Sequence, residues 1–363
     1  MHISWRFKAG ICFSFCIGIC ILLFQLSQGR GIFFALGASE NHEAQTFCQN
    51  FAGFINDDIY VTGRQSRTYL VDAFVLYNEL DVLLIRLHEL WNVVDKFIVV
   101  EASETFTGRP RRFLIDSNRN NPSLKPFLSK IDVVKCEFPS NLAVSAKSAK
   151  SVFWAREYFS RNCAHAALVK LKQDASVVII GDVDEIPSVR QLHVLKSCES
   201  LVRSPNNYFK KFGDPDVSIK FTQDRLHFNF HCRSKSMGSW PGSQVWSVKD
   251  VLKRGVQTCK DSRGTHTSTL TGGWHFSNFP FGNPQHMVEK FSAFSHQEET
   301  SKISNTESFW SKNLAQGGSS KVNTQCEDVS TLQLPVFVIQ NSHLNFSRFL
   351  NDHQRHIFNQ LNN

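Results

Sequence analysis

Two carboxylates stand just past one short apolar run. Val177-Val178-Ile179-Ile180 has the length and β-branched composition of a buried strand, and it stops at Gly181-Asp182-Val183-Asp184-Glu185-Ile186-Pro187. Side chains two residues apart on extended chain share a face, so Asp182 and Asp184 are able to converge on one hard cation. Mn2+ or Mg2+ held there would neutralise a diphosphate and stabilise it as a leaving group. The bland alternative is a turn in which an Asp caps whatever follows Pro187.

Other groups of the right chemistry are spread along the chain. On the helix expected before that strand, Val152, Ala155, Phe159, Cys163 and Ala166 fall on one side. Trp154, Tyr158, Arg161 and His165 fall nearly opposite, with Glu157 one turn before Arg161. That second face is either a solvated Glu–Arg pair among aromatics or a ridge over a nucleotide or its acceptor. Asn78 and Glu79 follow an apolar run at 70–76, and Glu101, Ser103, Thr105 and Thr107 follow another at 97–100. Carboxylates and hydroxyls at strand ends suit a base or a ribose; helix capping by Asn78 and a turn at Gly108 explain the same residues. His275, after Gly272-Gly273-Trp274, is a candidate third metal ligand or a structural histidine.

The elements that must position these groups are legible as periodicities. Leu70–Leu76 reads as a strand, and Leu80, Leu83, Leu84, Leu87, Leu90 and Trp91 recur at helical spacing. Phe97–Val100 is a second strand. Strand, helix, strand in so few residues predicts a βαβ unit, a mostly parallel central sheet and ligands at its carboxyl edge. A long helix is expected from about Ser151 to Lys172. Beyond Cys198 the pattern loosens into short aromatic strands such as 226–230, a helix from His286 to His296, a loop at Gly317–Ser320 and a late strand at Pro335–Ile339.

Composition narrows the class. The 363 residues are 42% apolar and 20% charged, which excludes a disordered or collagen-like chain, and 32 Phe promise a large core. A formal charge of +8 favours anionic partners, but the basic residues are scattered, which argues against nucleic acid. Arg6 and Lys8 precede the uncharged stretch Ala9–Leu26, about 27 Å long as a helix and close to the hydrocarbon thickness. With no acidic residue before Glu40, this predicts a signal anchor, a cytosolic N-terminus and a lumenal remainder. The alternative is a cleaved signal peptide, although Ala35-Leu36-Gly37 lies far beyond the apolar run. Cys12, Cys16 and Cys20 belong to that run. The other seven cysteines form no CxxC pair, so zinc is not expected, and a lumen allows three disulfides with one thiol over. Cys48, in a polar 27–68 stem, is the expected odd one and the natural bridge of a disulfide-linked homodimer. Asn345-Phe346-Ser347 is the sole glycosylation sequon.

Several stretches then occur in a telling order: YLVDAFVLYNELDVLLIRLHEL from Tyr69, VVDKFIVVEASETFTGRPR, WAREYFSRN, GDVDEIPS and GGWHFSNF. Together they resemble glycosyltransferase family 17, the bisecting N-acetylglucosaminyltransferases. The resemblance implies an α/β, GT-A-like (Rossmann-like) nucleotide-sugar domain over 69–351 with a tail at 352–363. It also implies a Golgi single-pass type II protein, in keeping with the cytosolic tail at 1–8, anchor at 9–26 and stem at 27–68 read from the residues, which the family shares only in type. UDP-GlcNAc would be the donor and Mn2+ or Mg2+ the metal. The reaction would be inverting transfer of GlcNAc to the 4-hydroxyl of the core β-mannose of an N-glycan. Asp182 and Asp184 match the family's Asp-x-Asp. Glu289, Glu298 and Glu299 are candidate bases by position. The segment Tyr208–Thr271 departs most, with basic insertions such as Lys210-Lys211 and Arg233–Lys235, and acceptor choice is expected there. The same donor chemistry on another acceptor, or an inactive lumenal glycan-binding protein, are the competing expectations; intact Asp182, Asp184 and Glu185 argue against the second.

Overall fold

The computed structural model describes residues 37–142, 149–171, 176–230, 232–234, 239–264, 268–279, 283–315, 324–326, 334–335 and 337–338. The expected anchor at 9–26, the Gly317–Ser320 loop, the Asn345 sequon and the 352–363 tail lie outside them. Among the described residues no helix is long and apolar enough to cross a membrane. The chain divides into two compact units, 1–47 and 48–363. The strands run in chain order β1 (Gly53–Asn56), β2 (Ile59–Gln65), β3 (Tyr69–Val75), β4 (Lys96–Ala102), β5 (Ile131–Cys136), β6 (Ser176–Asp182), β7 (Glu185–Pro187), β8 (Cys198–Arg203), β9 (Phe209–Lys211), β10 (Ser218–His227), β11 (Cys232–Ser234), β12 (Trp240–Ser247), β13 (Thr269–Ser277) and β14 (Thr324–Cys326).

The βαβ unit forms as its periodicity predicts. β3 pairs in parallel with β4, β4 with β5, and β3 with β6. The helix Leu80–Leu90 makes the crossover and buries Leu83, Leu84, Leu87 and Leu90. Alternate residues of β3 and β6 enter opposite layers: Leu70, Phe74, Val177 and Ile179 on one face, and Val71, Ala73, Val178 and Ile180 on the other. Both faces are therefore dry, as the continuous apolar runs require. Each buried Leu, Ile or Val contributes about 1.5–3 kcal/mol of transfer free energy, which anchors the edge where β6 ends.

The rest of the sheet corrects the expectation of a mostly parallel one. β12 pairs antiparallel to β6, β10 antiparallel to β12, and β13 runs parallel to β10 but antiparallel to β7. The connection from β10 to β12 contains β11, which turns back antiparallel to β10, and β12 likewise pairs antiparallel to it. The strand expected at 226–230 ends at His227, because Phe228 adopts a left-handed φ of 67°. The long helix expected from 151 to 172 stops at Cys163, bridged by a disulfide to Cys136 at the end of β5, and a short helix His165–Leu168 follows. The later helix spans Pro284–Ala293, its first turn capped by Asn283. In place of a strand at Pro335–Ile339, Phe337 and Val338 are helical.

Within the expected 27–68 stem, β1 and β2 are strands. β1 and β2 join β8 and β9 in an antiparallel sheet. Cys48 is fully buried in a disulfide with Cys198. Its sulfur is spent within the chain, so it is not the odd thiol of an intermolecular bridge. Among the described residues the free cysteine is Cys259, buried under β12 and β6, where desolvation pushes its thiol pKa up to about 12.

Candidate active site

β6 delivers Asp182 beside Val75 of β3, at the carboxyl edge of the parallel strands. The chain turns there and re-enters the sheet as β7, where Glu185 lies opposite His275 of β13. One turn thus collects two carboxylates from the parallel half and a histidine from the antiparallel half.

The Asp182 carboxylate is gripped by cations. Its Oδ1 accepts from Arg161 Nε at 3.3 Å and Nη2 at 2.9 Å, and Lys260 Nζ lies 3.3 Å from Oδ2. Arg161 also meets Glu157 at 2.7 Å and donates to Gln257 at 3.1 Å. Desolvation pushes the Asp182 pKa up, but Arg161 and Lys260 outweigh it and hold the carboxyl far below its usual range. Asp184 is similar with other partners: its Oδ2 lies 3.7 Å from His275 Nε2 and 3.8 Å from Lys290 Nζ. Burial raises its pKa, His275 and Lys290 lower it, and the net shift is downward.

Behind the two aspartates, Glu185 is fully buried and fully used. Its Oε1 accepts from Trp240 Nε1 at 2.8 Å and Arg263 Nη1 at 3.2 Å; its Oε2 accepts from the Asp182 amide at 3.0 Å and from Lys260. The Trp240 ring stacks on His275 at 4.6 Å and carries the guanidinium groups of Arg225 and Arg263 at 4.9 and 5.2 Å. Burial, then Arg225, His275 and Lys290, push the pKa of His227 down to about 3. Arg161, Arg225, Lys260, Arg263 and Lys290 therefore surround Asp182, Asp184, Glu185 and Glu157. The excess of cation suits a multiply charged anion such as a diphosphate.

Among the described residues no group of three or more His, Cys, Asp or Glu side chains is placed to hold a metal ion. The trio Asp182, Asp184 and His275 is not gathered, because both Asp182 oxygens face Arg161 and Lys260. Asp184 and His275 do fit a divalent cation. Ligand atoms about 2.1 Å from a common ion stand up to twice that far apart, and theirs are 3.7 Å apart. His275 Nδ1 is buried with no hydrogen-bond partner among the described residues.

The remaining candidates divide. Asn78 donates to Glu289 Oε2 at 3.1 Å, and Glu79 accepts from the amides of Tyr77 and Asn78 at 3.2 and 3.1 Å. Glu289 is thus held at the end of β3, and its neighbour Lys290 reaches Asp184. Glu298 and Glu299 instead pair with His296 and Lys302, each at 3.1 Å, and neither is drawn to the aspartates. Glu101 is spent on structure: buried, it accepts from Arg111 at 3.1 Å and from the amides of Leu114 and Ile115. Desolvation raises its pKa against those donors. Thr105 shares its hydroxyl with Thr107 at 3.0 Å and accepts from the Arg109 amide at 3.0 Å. Neither Glu101 nor Thr105 is free for a base or ribose. Trp154 lies against His296 at 4.5 Å and Tyr158 at 5.8 Å, and Tyr158 is 39% exposed.

The sequence profile of Glycosyltransferase family 17 matches residues 40–316. The chain belongs to glycosyltransferase family 17. It is therefore a glycosyl-transferring enzyme, and the matched stretch takes in β1 and β2 as well as the whole site. No relative among curated proteins matches the sequence. Among solved structures, glucosyl-3-phosphoglycerate synthase from Mycobacterium tuberculosis, in complex with Mn2+, UDP and glucosyl-3-phosphoglycerate, is similar at 11% identity and a TM-score of 0.29. That likeness covers 66% of this chain and 80% of the other.

Sequence reasoning missed Lys260, Arg263, Arg225, Trp240 and Lys290, which come from separate elements and share no spacing. It also missed Asp72 and Arg86, although both carry a signal: each is a lone charge inside an apolar run, LVDAFVL and VLLIRL.

Proposed function

We propose that this family 17 chain is an inverting, metal-assisted transferase of GlcNAc from UDP-GlcNAc to the 4-hydroxyl of the core β-mannose of N-glycans. The observation that carries the reading is the turn 182–185, where Asp184 meets His275 and both aspartates lie among an excess of basic side chains at the carboxyl edge of the parallel strands. Asp184 and His275 would hold Mn2+ or Mg2+, which when bound supplies positive charge to the departing diphosphate. Lys290 and Arg225 add charge on that side, and Arg161 and Lys260 keep Asp182 ionised. We assign the base to Glu289, oriented by Asn78. It takes the proton of the acceptor hydroxyl while that oxygen bonds the anomeric carbon from the face opposite the breaking bond to UDP. Trp154 and the exposed Tyr158, one turn from Arg161, offer aromatic faces to a pyranose ring. In the proposed setting, 9–26 anchors the chain in the Golgi membrane and the folded body is lumenal.

The test is the full chain in detergent with Mn2+, a panel of UDP-sugars and a biantennary N-glycan. Mass gain of one N-acetylhexosamine, with β-linkage at the mannose 4-position, is the expected product. Turnover with no donor sinks the transferase reading; turnover on a different acceptor sinks only the acceptor.

A further inference from the structure

A buried guanidinium lies directly beneath the turn that carries the two aspartates. Arg86, on the helix Leu80–Leu90, and Asp72, on β3, are both fully buried. Their pairing is a two-pronged fork: Nε to Asp72 Oδ2 at 2.7 Å and Nη2 to Oδ1 at 2.6 Å. The remaining nitrogen, Nη1, is turned away from Asp72. It donates to the backbone carbonyls of Asp182, Val183 and Glu185 at 3.1, 3.3 and 2.7 Å. The fourth carbonyl of the turn, that of Asp184, accepts from the Phe276 amide on β13 at 2.9 Å. Every carbonyl from 182 to 185 is thus drawn inward.

We infer that Arg86, aimed by Asp72, is a positioning residue for glycosyl transfer: it fixes the carbonyls of the turn inward and thereby sets where Asp182 and Asp184 present their carboxylates. The chemistry of the fork supports this. Arginine's planar guanidinium has five donors, enough to hold a carboxylate with one edge and carbonyls with the other; a lysine ammonium has the charge without the fork. A buried ion pair is a weak means of gaining stability, since hydrophobic residues of similar volume often serve as well. Its use here is geometric. The pair ties the turn to β3 and to the crossover helix, both buried in the apolar core, and a displacement of about 1 Å at such a site costs about a hundredfold in rate.

The inference rests on the transferase reading, and the test keeps the two apart. The full chain is made as wild type, Arg86→Lys and the double variant Arg86→Met with Asp72→Leu, which removes both buried charges together. Melting temperature reports the fold. Steady-state kinetics report kcat and KM for the donor, and amide hydrogen exchange reports opening at 182–185 without any turnover. A positioning role predicts variants that melt within a few degrees of wild type, with kcat down about a hundredfold, donor KM little changed and exchange at 182–185 faster by about tenfold or more. Core amides of β3 and β4 should keep their protection. Folded variants with wild-type kcat and wild-type exchange overturn the inference. So does failure of every variant to fold, because the pair then determines the fold as a whole. An inactive wild type condemns the transferase reading instead, and the exchange data still decide whether Arg86 holds the turn.

Discussion

The two halves of the larger sheet reach the same turn by different routes. The parallel half, β3 to β6, brings its carboxylates on one continuous stretch of chain at the end of one apolar strand. The antiparallel half brings cations from β10 (Arg225), the helix Val256–Asp261 and the turn after it (Lys260 and Arg263), and the helix Pro284–Ala293 (Lys290). Asp182, Asp184 and Glu185 are neighbours in sequence, whereas the cations around them come from elements far apart in it. A local arrangement needs its one turn held in place, whereas an assembled one depends on every element that contributes to it. Substitutions in the two halves should therefore fail differently.

The largest effect is expected on the parallel side. Asp184→Asn keeps the shape of the side chain and removes the charge facing His275 and Lys290. Transfer should fall about a thousandfold, equivalent to about 4 kcal/mol of transition-state stabilisation, while the melting temperature stays near wild type. His275→Ala should lower the rate less and raise the Mn2+ requirement. Measuring melting temperature and UDP release on the same samples separates chemistry from folding. A stable Asp184→Asn chain with full activity would remove the turn from the mechanism.

On the antiparallel side the cost should appear first as stability. Lys260 is buried against Glu185 and Asp182. Lys260→Met leaves the Glu185 carboxylate to Arg263 and Trp240, and about 3 kcal/mol of stability should be lost in urea titrations. Lys290→Met, on a side chain 20% exposed, should leave stability within about 1 kcal/mol and weaken donor binding instead. Equal stability losses from the two substitutions would erase the distinction between buried and solvent-edge cations.

How much of this is visible in the sequence follows the same division. Apolar runs and helical spacing mark β3, the helix Leu80–Leu90, β4 and β6, because each is buried on a regular period. The Asp-x-Asp pair is legible for the same reason, as a break in such a run. Trp240 and Lys260 are not, because nothing local tells a buried lysine from an exposed one; only the arrival of Glu185 from β7 gives it a partner. Glu101 shows the converse error. A carboxylate at a strand end looks available, yet Leu114 and Ile115 bring it two backbone amides that no spacing announces. The strands β1 and β2 were hidden by polarity: their sheet mate β8 is distant, and Cys48 declares itself only through Cys198.

That bridge gives a third and smaller test. Cys48 and Cys198 close a separation of 150 residues and hold the small sheet beside the helix Val189–Ser197. Paired Cys48→Ser and Cys198→Ser substitutions should cost about 2 kcal/mol, with activity of the folded fraction retained. Non-reducing peptide mapping should recover 48–198 and 136–163 and alkylate Cys259 only after unfolding. Cys232 stands opposite Cys326 in the register of β11 and β14. A dimer that disappears on reduction, with Cys48 in the intermolecular link, would restore the role first expected of it.

The smallest effect sets one histidine from each half side by side. Burial, then Lys196, push the pKa of His193 down to about 4 on the parallel side; burial, then Arg225, push that of His227 down to about 3 on the antiparallel side. An unfolded histidine titrates near 6.5. In both cases the folded value is depressed, so between the two values the unfolded chain binds more protons and stability falls as the solution is acidified. The contribution is complete above about pH 6.5 and is lost as pH falls toward about 4 for His193 and about 3 for His227. His193→Gln and His227→Gln should each flatten the fall of melting temperature between pH 6.5 and 4.5. Their effects on activity should differ. His193 lies on the helix Val189–Ser197 with no contact to the aspartates, and its substitution should leave the rate at pH 7 unchanged. His227 faces Asn278 at 3.2 Å and shares its field with His275 and Lys290. Its loss should alter the rate by a few fold through packing around His275. A rate change in His193→Gln as large as that in His227→Gln would mean that the two halves are coupled through the turn more tightly than their separate routes to it imply.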